Sequence, residues 1–261
     1  MGTGMGNDAD GTQFTVLGTD DTIDRGELIA RYDYPGERWV RANMIASADG
    51  GATSAGTSGG LGGAGDKALF SVLRELADVI LVGAATVRAE DYSGASPADD
   101  QRAAREARGQ AAVPPIAMLT RSGSVDPDAA VFRRTEVAPI VFTSAAAAPK
   151  TRRALGSLAD VIDVSGPDPE SLDLAKALTV LTERGLGRVL AEGGPGILGR
   201  LIADGLLDEL CLTVAPVLVG GAAGRIVTGD DDDRAPLRLQ QVLSDDDGYL
   251  FLRYVRLAAD R

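Results

Sequence analysis

The sequence predicts an α/β fold built on a mostly parallel sheet, and two patterns support this prediction. Six short apolar runs rich in valine and isoleucine alternate with amphipathic stretches between residues 39 and 207. Buried parallel strands have this composition, and helices usually connect them. The C-terminal part carries a long apolar run and two strand-like segments around an Asp-Asp-Gly turn signal. We therefore expect a mostly parallel sheet with connecting helices and antiparallel strands at its C-terminal end.

The elements follow in order along the chain. Strands are predicted over residues 39–47, 78–83, 115–120, 139–144, 160–165 and 188–193. Helices are predicted over residues 65–77, 148–159, 171–185 and 196–207. A further long strand is expected over 209–221, and a hairpin over 237–257. Residues 93–113 have no strong apolar stripe, so we expect a surface excursion there.

Domain organisation is predicted from composition shifts. Residues 1–30 are polar and contain glycine, which is typical of a flexible or loosely packed arm. Residues 31–261 contain no linker that would divide them, so we expect one domain. The acidic run from Asp230 to Asp233 is expected to form a solvated loop.

Composition limits the classes of function. The formal net charge of −12 disfavours nucleic acid and anionic membranes as partners. The chain has no histidine and a single cysteine, Cys211, so we expect neither an internal disulfide nor a metal site. A reducing cytoplasm suits this composition, and no apolar run is long enough to span a bilayer. Proton transfer must then use carboxylates, lysine, tyrosine or water.

A glycine-rich turn after the sixth predicted strand indicates a phosphate-binding site. Residues 194–199 read G-x-G-x-x-G, with a strand before them and a helix after them. A Rossmann site also needs an acidic residue at the end of the next strand, whereas Asp208 and Glu209 precede that strand. A different phosphate or dinucleotide cradle is therefore favoured over a Rossmann site or a purely structural turn. The predicted cradle residues are Gly193, Gly194, Pro195, Gly196, Ile197 and Leu198.

Two other strand ends carry residues suited to the same ligand. Gly83 and Thr86 follow the strand at 78–83, where the chain opens onto a possible helix. Arg121 and Ser122 follow the next strand, and a guanidinium beside a hydroxyl suits the 2′-phosphate of NADP. A helix cap is an equally good interpretation of Thr86 taken alone, and an ordinary turn with an exposed arginine is the alternative for the second pair.

Charged side chains near these turns are candidates for chemistry. Glu90 and Glu192 could each transfer a proton or accept hydrogen bonds from a ligand, although an exposed carboxylate is the common alternative. Asp66, Lys67 and Arg74 lie on a helix that follows a glycine-rich loop suited to covering a ligand. A solvated helix surface is equally compatible with these three residues.

Five motifs in this order resemble one enzyme family. They read "MIASADGG", "TSGG", "LRELADVILVGAATVRAED", "AEGGPGILGRL" and "DELCLTVAPVLVGG". The set resembles the riboflavin-pathway pyrimidine reductases, which are similar to the C-terminal half of the bifunctional deaminase–reductase. The resemblance extends from Trp39 to Leu257 and implies a dihydrofolate-reductase-like fold, which has helices on both faces of a mostly parallel sheet and an antiparallel C-terminal edge. It also implies reduction of 5-amino-6-(5-phosphoribosylamino)uracil to its ribitylamino product by NADPH.

The resemblance assigns roles to the cofactor residues. Gly83 and Thr86 would border the nicotinamide, and residues 194–200 would hold the pyrophosphate. Ser122, with Arg121, would contact the adenosine end.

The resemblance also assigns substrate contacts, to Ser58, Arg74 and Glu192, with Arg74 helping to bind the sugar phosphate. The family pattern T-V-x-x-D-[DN]-P is altered here. Glu90, our catalytic candidate, replaces an aspartate, and Tyr92 replaces a proline. These changes leave the substrate open between a phosphorylated pyrimidine and a pteridine.

Two alternatives therefore remain beside the pyrimidine reductase. One is a dihydrofolate-reductase-type activity on the same fold, with Asp66 as a pterin-binding carboxylate. The other is a non-catalytic NADP-binding protein. A homodimer is expected in each case, because family members are often dimers and the apolar run from residue 209 could pack across a two-fold axis.

Overall fold

The computed structural model describes residues 12–17, 19, 21–54, 56–229 and 235–257. Its strands are β1 (Phe14–Val16), β2 (Thr22–Ile23), β3 (Trp39–Ser47), β4 (Val79–Gly83), β5 (Ile116–Thr120), β6 (Ile140–Thr143), β7 (Asp160–Asp163), β8 (Arg188–Ala191), β9 (Glu209–Ala215), β10 (Leu237–Asp245) and β11 (Leu250–Arg256). Its helices are α1 (Arg25–Tyr32), α2 (Ala64–Leu76), α3 (Ala84–Ala89), α4 (Asp99–Ala107), α5 (Ala130–Arg133), α6 (Ala148–Leu155), α7 (Leu174–Glu183) and α8 (Pro195–Ala203), with a 3-10 turn at Gly156–Leu158.

All these strands form one mixed sheet. Its order is β2-β1-β10-β11-β9-β3-β8-β4-β5-β6-β7. The seven strands from β9 to β7 are parallel to their neighbours. The other four pair antiparallel, and β11 joins the two parts through β9. The predicted α/β class, with a mostly parallel sheet and antiparallel C-terminal strands, is confirmed.

Helices cover both faces of the sheet. Successive strand side chains point to opposite faces, so each face presents apolar residues that a helix can bury. On one face, Leu81 and Ala117 pack with apolar side chains of α7 and α8. On the other face, Leu190 and Cys211 pack with α1 and α2, and Ile80 packs with α3 and α6. The core therefore has two layers, one on each side of the sheet. Within the described residues, no helix combines the length and apolar character needed to cross a membrane.

The expectation of a loosely packed arm over residues 1–30 is wrong for its second half. β1 extends the sheet beside β10, and the Phe14 ring meets the Phe251 ring at a centroid distance of 5.1 Å. Leu28 and Tyr32 of α1 are fully buried. In the sequence, Phe14, Leu28 and Tyr32 are too widely spaced to predict a helix or a strand. In the structure, each packs in the apolar layer that contains α2. Residues 1–11 lie outside the described residues.

The predicted surface excursion at 93–113 is also wrong, because it contains α4 and a buried arginine. Arg105 donates from Nη1 to the carbonyls of Glu75 at 2.8 Å and Ala77 at 2.6 Å, and from Nε to Ala111 O at 2.8 Å. The guanidinium thus satisfies carbonyl groups at the C-terminal end of α2. A polar sequence can form a packed helix when its charged side chain replaces apolar contacts in this way.

The strand expected over 209–221 is shorter than predicted. β9 ends at Ala215 because Pro216 has no amide hydrogen to donate to a neighbouring strand. The exposed residues Val217 and Leu218 then lie in a loop. The acidic run at 230–233, expected as a solvated loop, lies outside the described residues.

Candidate active site

The predicted cofactor residues lie along one edge of the sheet. β8, β4 and β5 are parallel neighbours, so their carboxyl ends meet at this edge. Gly193 and Gly194 follow β8, Thr86 lies on the helix after β4, and Arg121 follows β5. Residues from three separate stretches of the sequence therefore surround one crevice.

The turn from β8 into α8 presents unpaired backbone donors. Gly193 and Gly194 have φ angles of +103° and +87°, which L side chains rarely adopt. The amide groups of Gly193, Gly194 and Gly196 find no acceptor among the described residues. Pro195 is the first residue of α8, so the positive end of the helix dipole lies at the same place. The free donors, the positive φ angles and the helix dipole at this turn are features that suit an anionic group such as a phosphate.

The two glycine-containing turns touch each other. A Cβ atom on Gly194 would lie 3.4 Å from Thr86 Oγ1, and one on Gly83 would lie 3.0 Å from Ile197 Cδ1. Ile197 is partly buried here, and Leu198 is buried in the layer of α7. The small residues therefore let α3 and α8 approach closely.

Glu192 lies on the other side of the same turn. Val189 and Ala191 face α8, whereas Leu190 faces α2, and Glu192 continues this alternation. Its carboxylate accepts hydrogen bonds from Arg74 Nε and Nη2, each at 2.7 Å. Only 8% of Glu192 is exposed.

Tyr92 completes this cluster. Its hydroxyl donates to Glu192 Oε2 and accepts from Arg74 Nη2 at 2.7 Å. The Arg74 guanidinium lies 4.2 Å from the centre of the Phe70 ring and 5.3 Å from that of Tyr92. Burial, followed by the nearby Glu192 charge, raises the pKa of the Tyr92 phenol well above its ordinary value, so it stays protonated.

Glu90 and Ser58 are also in contact, as members of one predicted site should be. Glu90 Oε1 accepts from the Ser58 amide at 3.0 Å and from the Ser58 hydroxyl at 2.9 Å. Glu90 therefore anchors the glycine-rich loop that follows β3. Asp49 fastens the start of this loop to the loop after β9 by accepting from the amides of Val219 at 3.1 Å and Gly220 at 2.8 Å.

Asp66 and Lys67 have different surroundings on the first turn of α2. Lys67 is exposed. Asp66 is partly buried, and burial raises the pKa of its carboxyl, against the opposing effects of Thr213 and Lys67. The Thr213 hydroxyl is buried and has no hydrogen-bond partner among the described residues. Asp66 and Thr213 together thus offer a carboxyl and a hydroxyl for a polar ligand group.

Arg121 and Ser122 are both exposed at the end of β5. Ser122 Oγ accepts from the Ser124 amide at 3.3 Å, which keeps the turn compact. Arg121 has no ion-pair partner among the described residues. Its guanidinium is therefore available to an anionic ligand.

Sequence reasoning missed two members of the site, Tyr92 and Phe70. In the sequence, Tyr92 stands out only as a departure from the family pattern, and that departure is the signal that points to it. Phe70 precedes Arg74 by four residues on α2, a spacing that places the two side chains on one face of the helix.

Comparison with known proteins identifies the family. Residues 38–251 match the RibD C-terminal domain. The chain is 28% identical over 153 residues to the riboflavin biosynthesis protein RibD of Bacillus amyloliquefaciens, covering 58% of this chain and 38% of that protein. It is 26% identical over 177 residues to the 2,5-diamino-6-ribosylamino-4(3H)-pyrimidinone 5′-phosphate reductase of Archaeoglobus fulgidus, covering 68% of this chain and 79% of the relative.

A solved structure agrees with these relatives. The pyrimidine reductase-like protein of Corynebacterium diphtheriae superposes with a TM-score of 0.78 at 26% identity, covering 91% of this chain and all of the other. The sequence match and the shared fold extend over the strands and turns that form the crevice. The chain belongs to the family of RibD C-terminal domains.

Proposed function

We propose that the protein is an NADPH-dependent reductase of a ribosylaminopyrimidine 5′-phosphate, with 5-amino-6-(5-phosphoribosylamino)uracil as its substrate. One observation supports this most directly. The turn after β8 has amides without an acceptor among the described residues at the start of α8, and Glu192, just before it, pairs with Arg74 of α2. A single turn can thus contact a dinucleotide on one side and a second reactant on the other.

The proposed roles follow from this division. The amides of Gly193, Gly194 and Gly196 bind the pyrophosphate, and Thr86 borders the nicotinamide. Arg121 pairs with the 2′-phosphate, which favours NADPH over NADH. Since the cofactor supplies a hydride to the substrate, the protein has to orient the two partners and exclude water.

The substrate end uses charged side chains. Hydride would be accepted at C1′ of the sugar in its ring-opened imine form. Glu192 and Arg74 contact the substrate, with the Arg74 charge directed at its phosphate. Glu90, held by Ser58, is our candidate for delivering a proton or fixing the substrate amine. With no histidine in the chain, a carboxyl group is the natural proton carrier.

The test is oxidation of NADPH followed by absorbance. The assay compares the uracil phosphate with the 2,5-diamino-6-ribosylamino-4(3H)-pyrimidinone 5′-phosphate after which the Archaeoglobus relative is named. We expect turnover of at least one, and faster turnover with NADPH than with NADH. Glu192→Gln should reduce turnover more than NADPH binding, because Glu192 and the cradle lie on opposite sides of the turn. Absence of oxidation above background with both substrates contradicts the proposal.

Asp66 favours a second candidate, reduction of a pteridine such as dihydrofolate. A partly buried carboxyl group beside a hydroxyl that has no partner among the described residues can bind the amino group and ring nitrogen of a pterin. A turnover assay of dihydrofolate beside the pyrimidine phosphate separates the two. Asp66→Asn should reduce turnover of dihydrofolate more than turnover of the pyrimidine phosphate.

We also propose a homodimer in the cytoplasm. Leu212 and Val214 of β9 are only partly buried, on the face of the sheet opposite α2. On β11, Leu252 lies opposite Leu212 and Leu250 lies opposite Val214, and both are also only partly buried. A second copy would cover this face. Light scattering that gives a monomer mass would contradict the dimer.

A further inference from the structure

We propose that Tyr92 is a positioning residue that locks Arg74 and Glu192 into one rigid unit at the substrate end of the crevice. This inference rests on the proposed function and adds a third side chain to its machinery. Its basis is a closed set of hydrogen bonds, in which each of the three side chains contacts the other two. We refer to Arg74, Tyr92 and Glu192 as the substrate-end triad.

The contacts assign each atom of the triad a partner. Among the described residues, Glu192 Oε1 accepts from Arg74 Nε alone, whereas Oε2 accepts from both Arg74 Nη2 and the Tyr92 hydroxyl. The Tyr92 hydroxyl uses its hydrogen on Glu192 and its oxygen on Arg74. The hydroxyl therefore fixes the rotation of both charged groups. The side chain of Glu192 is 2% exposed and that of Arg74 is 24% exposed, so the exposed edge of the pair belongs to Arg74.

The backbone around Tyr92 is built to place this side chain. α3 ends at Ala89, and the Tyr92 amide donates to Val87 O at 3.1 Å. Asp91 has a φ angle of +45°, which is uncommon for a residue other than glycine. Its carboxylate is paired with Arg134. The turn therefore keeps Asp91 in an uncommon backbone conformation. In this conformation the Tyr92 side chain reaches Arg74 and Glu192.

The triad changes what the substrate encounters. Two of the three nitrogen atoms of the Arg74 guanidinium are already engaged, and Glu192 balances its charge. Nη1 makes no hydrogen bond among the described residues, so it is the donor left for an anionic substrate group. A fixed guanidinium with one free edge binds a phosphate in one orientation, which favours a substrate whose phosphate and reacting carbon are a set distance apart.

The test uses Tyr92→Phe, which removes the hydroxyl and keeps the ring beside Arg74. We expect kcat/KM for the pyrimidine phosphate to fall roughly 10- to 100-fold, as for loss of one hydrogen bond to a charged group. The loss should appear mainly in kcat, and the Kd for NADPH should stay within about twofold. Tyr34→Phe is the matched control, because the Tyr34 hydroxyl makes no hydrogen bond among the described residues and its ring packs in the layer of α1, so this variant should retain full activity.

A double-mutant cycle distinguishes the triad from general packing. If Tyr92 acts through Glu192, the variant Y92F/E192Q should be no slower than E192Q alone, whereas independent residues would give multiplied losses. Full activity of Y92F, or multiplied losses in the cycle, overturns the inference.

The same cycle in thermal unfolding needs no substrate. E192Q should lower Tm by roughly 3–12 °C, and Y92F should add little to that in the double variant. Additive shifts in Tm would show that the triad does not exist and overturn the inference. If the wild-type protein shows no turnover, the proposed function fails, and the Tm cycle still decides whether the triad exists.

Discussion

Glu209 is the centre of the most deeply buried charge network among the described residues. Its replacement by glutamine tests how the parallel and antiparallel parts of the sheet are held together at β9. Its Oε1 accepts from Arg41 Nε at 2.7 Å and from Arg253 Nε at 2.9 Å, and its Oε2 accepts from Trp39 Nε1 at 2.9 Å. These partners lie on β3 and β11, on either side of β9. Glutamine has the same shape but no charge, so Glu209→Gln leaves two guanidinium groups inside without a counterion.

The expected magnitude follows from burial. The side chains of Glu209 and Arg41 are both 0% exposed, and that of Arg253 is 13% exposed. Removing one partner of a buried ion pair costs about 3–5 kcal/mol. In a domain of this size, each kcal/mol lowers Tm by about 2–4 °C, so Glu209→Gln should lower Tm by roughly 6–20 °C. Asp128→Asn is the control, because its pair with Arg133 is exposed and contributes about 1 kcal/mol at most.

The deficit should depend on pH. Burial alone would raise the pKa of Glu209, but Arg41 and Arg253 together hold it below its ordinary value. A lowered folded-state pKa stabilises the protein above the unfolded glutamate pKa of about 4.3, and this contribution is lost as the pH falls through the folded value. The difference between wild type and Glu209→Gln in urea unfolding should therefore shrink in acid. A difference below about 1 kcal/mol at neutral pH would refute this account of the network.

Three further predictions concern the crevice. Gly194→Ala should raise the Kd for NADPH, measured by fluorescence titration, about tenfold, because a φ angle of +87° strains an alanine by about 1–2 kcal/mol. Gly185→Ala is the control, since Gly185 also has a positive φ angle (+75°) but lies far from the crevice, and it should leave the Kd unchanged. Arg121→Ala should weaken NADPH about tenfold but not NADH, whereas Arg153→Ala should affect neither; equal losses for both cofactors would exclude a 2′-phosphate contact. Asp66→Asn should raise Tm near pH 7 and match wild type in strong acid, because a raised carboxyl pKa costs stability once the pH exceeds the ordinary aspartate range.

Much of the crevice follows from the sequence because its determinants are local. Apolar runs separated by amphipathic stretches predict parallel strands, and parallel strands place all their carboxyl ends at one edge. Gly83, Gly194 and Arg121 could therefore be assigned to one edge before any contact was known. From β3 to β8, both ends of every observed strand lie within two residues of the predicted ends.

The order of the strands needed the tertiary structure, although their existence did not. β8 lies between β3 and β4, and this placement is what sets the glycine turn beside Thr86. Nothing in the local pattern of residues 188–191 determines which strands they join. The neighbours depend on which apolar faces the connecting helices cover.

The sequence by itself determined the class of fold, the edge that carries the crevice and the glycine turn, because periodicity and backbone freedom are properties of neighbouring residues. Only the tertiary structure decided which charges are paired. Arg74 and Glu192 are 118 residues apart in the chain, and each alone is compatible with a solvated surface. The packed helix α4 and the strand β1 are not predicted for the same reason, since the hydrogen-bond partners of Arg105 and of β1 come from distant segments. A buried charge or a short strand is stable only when folding brings those partners to it.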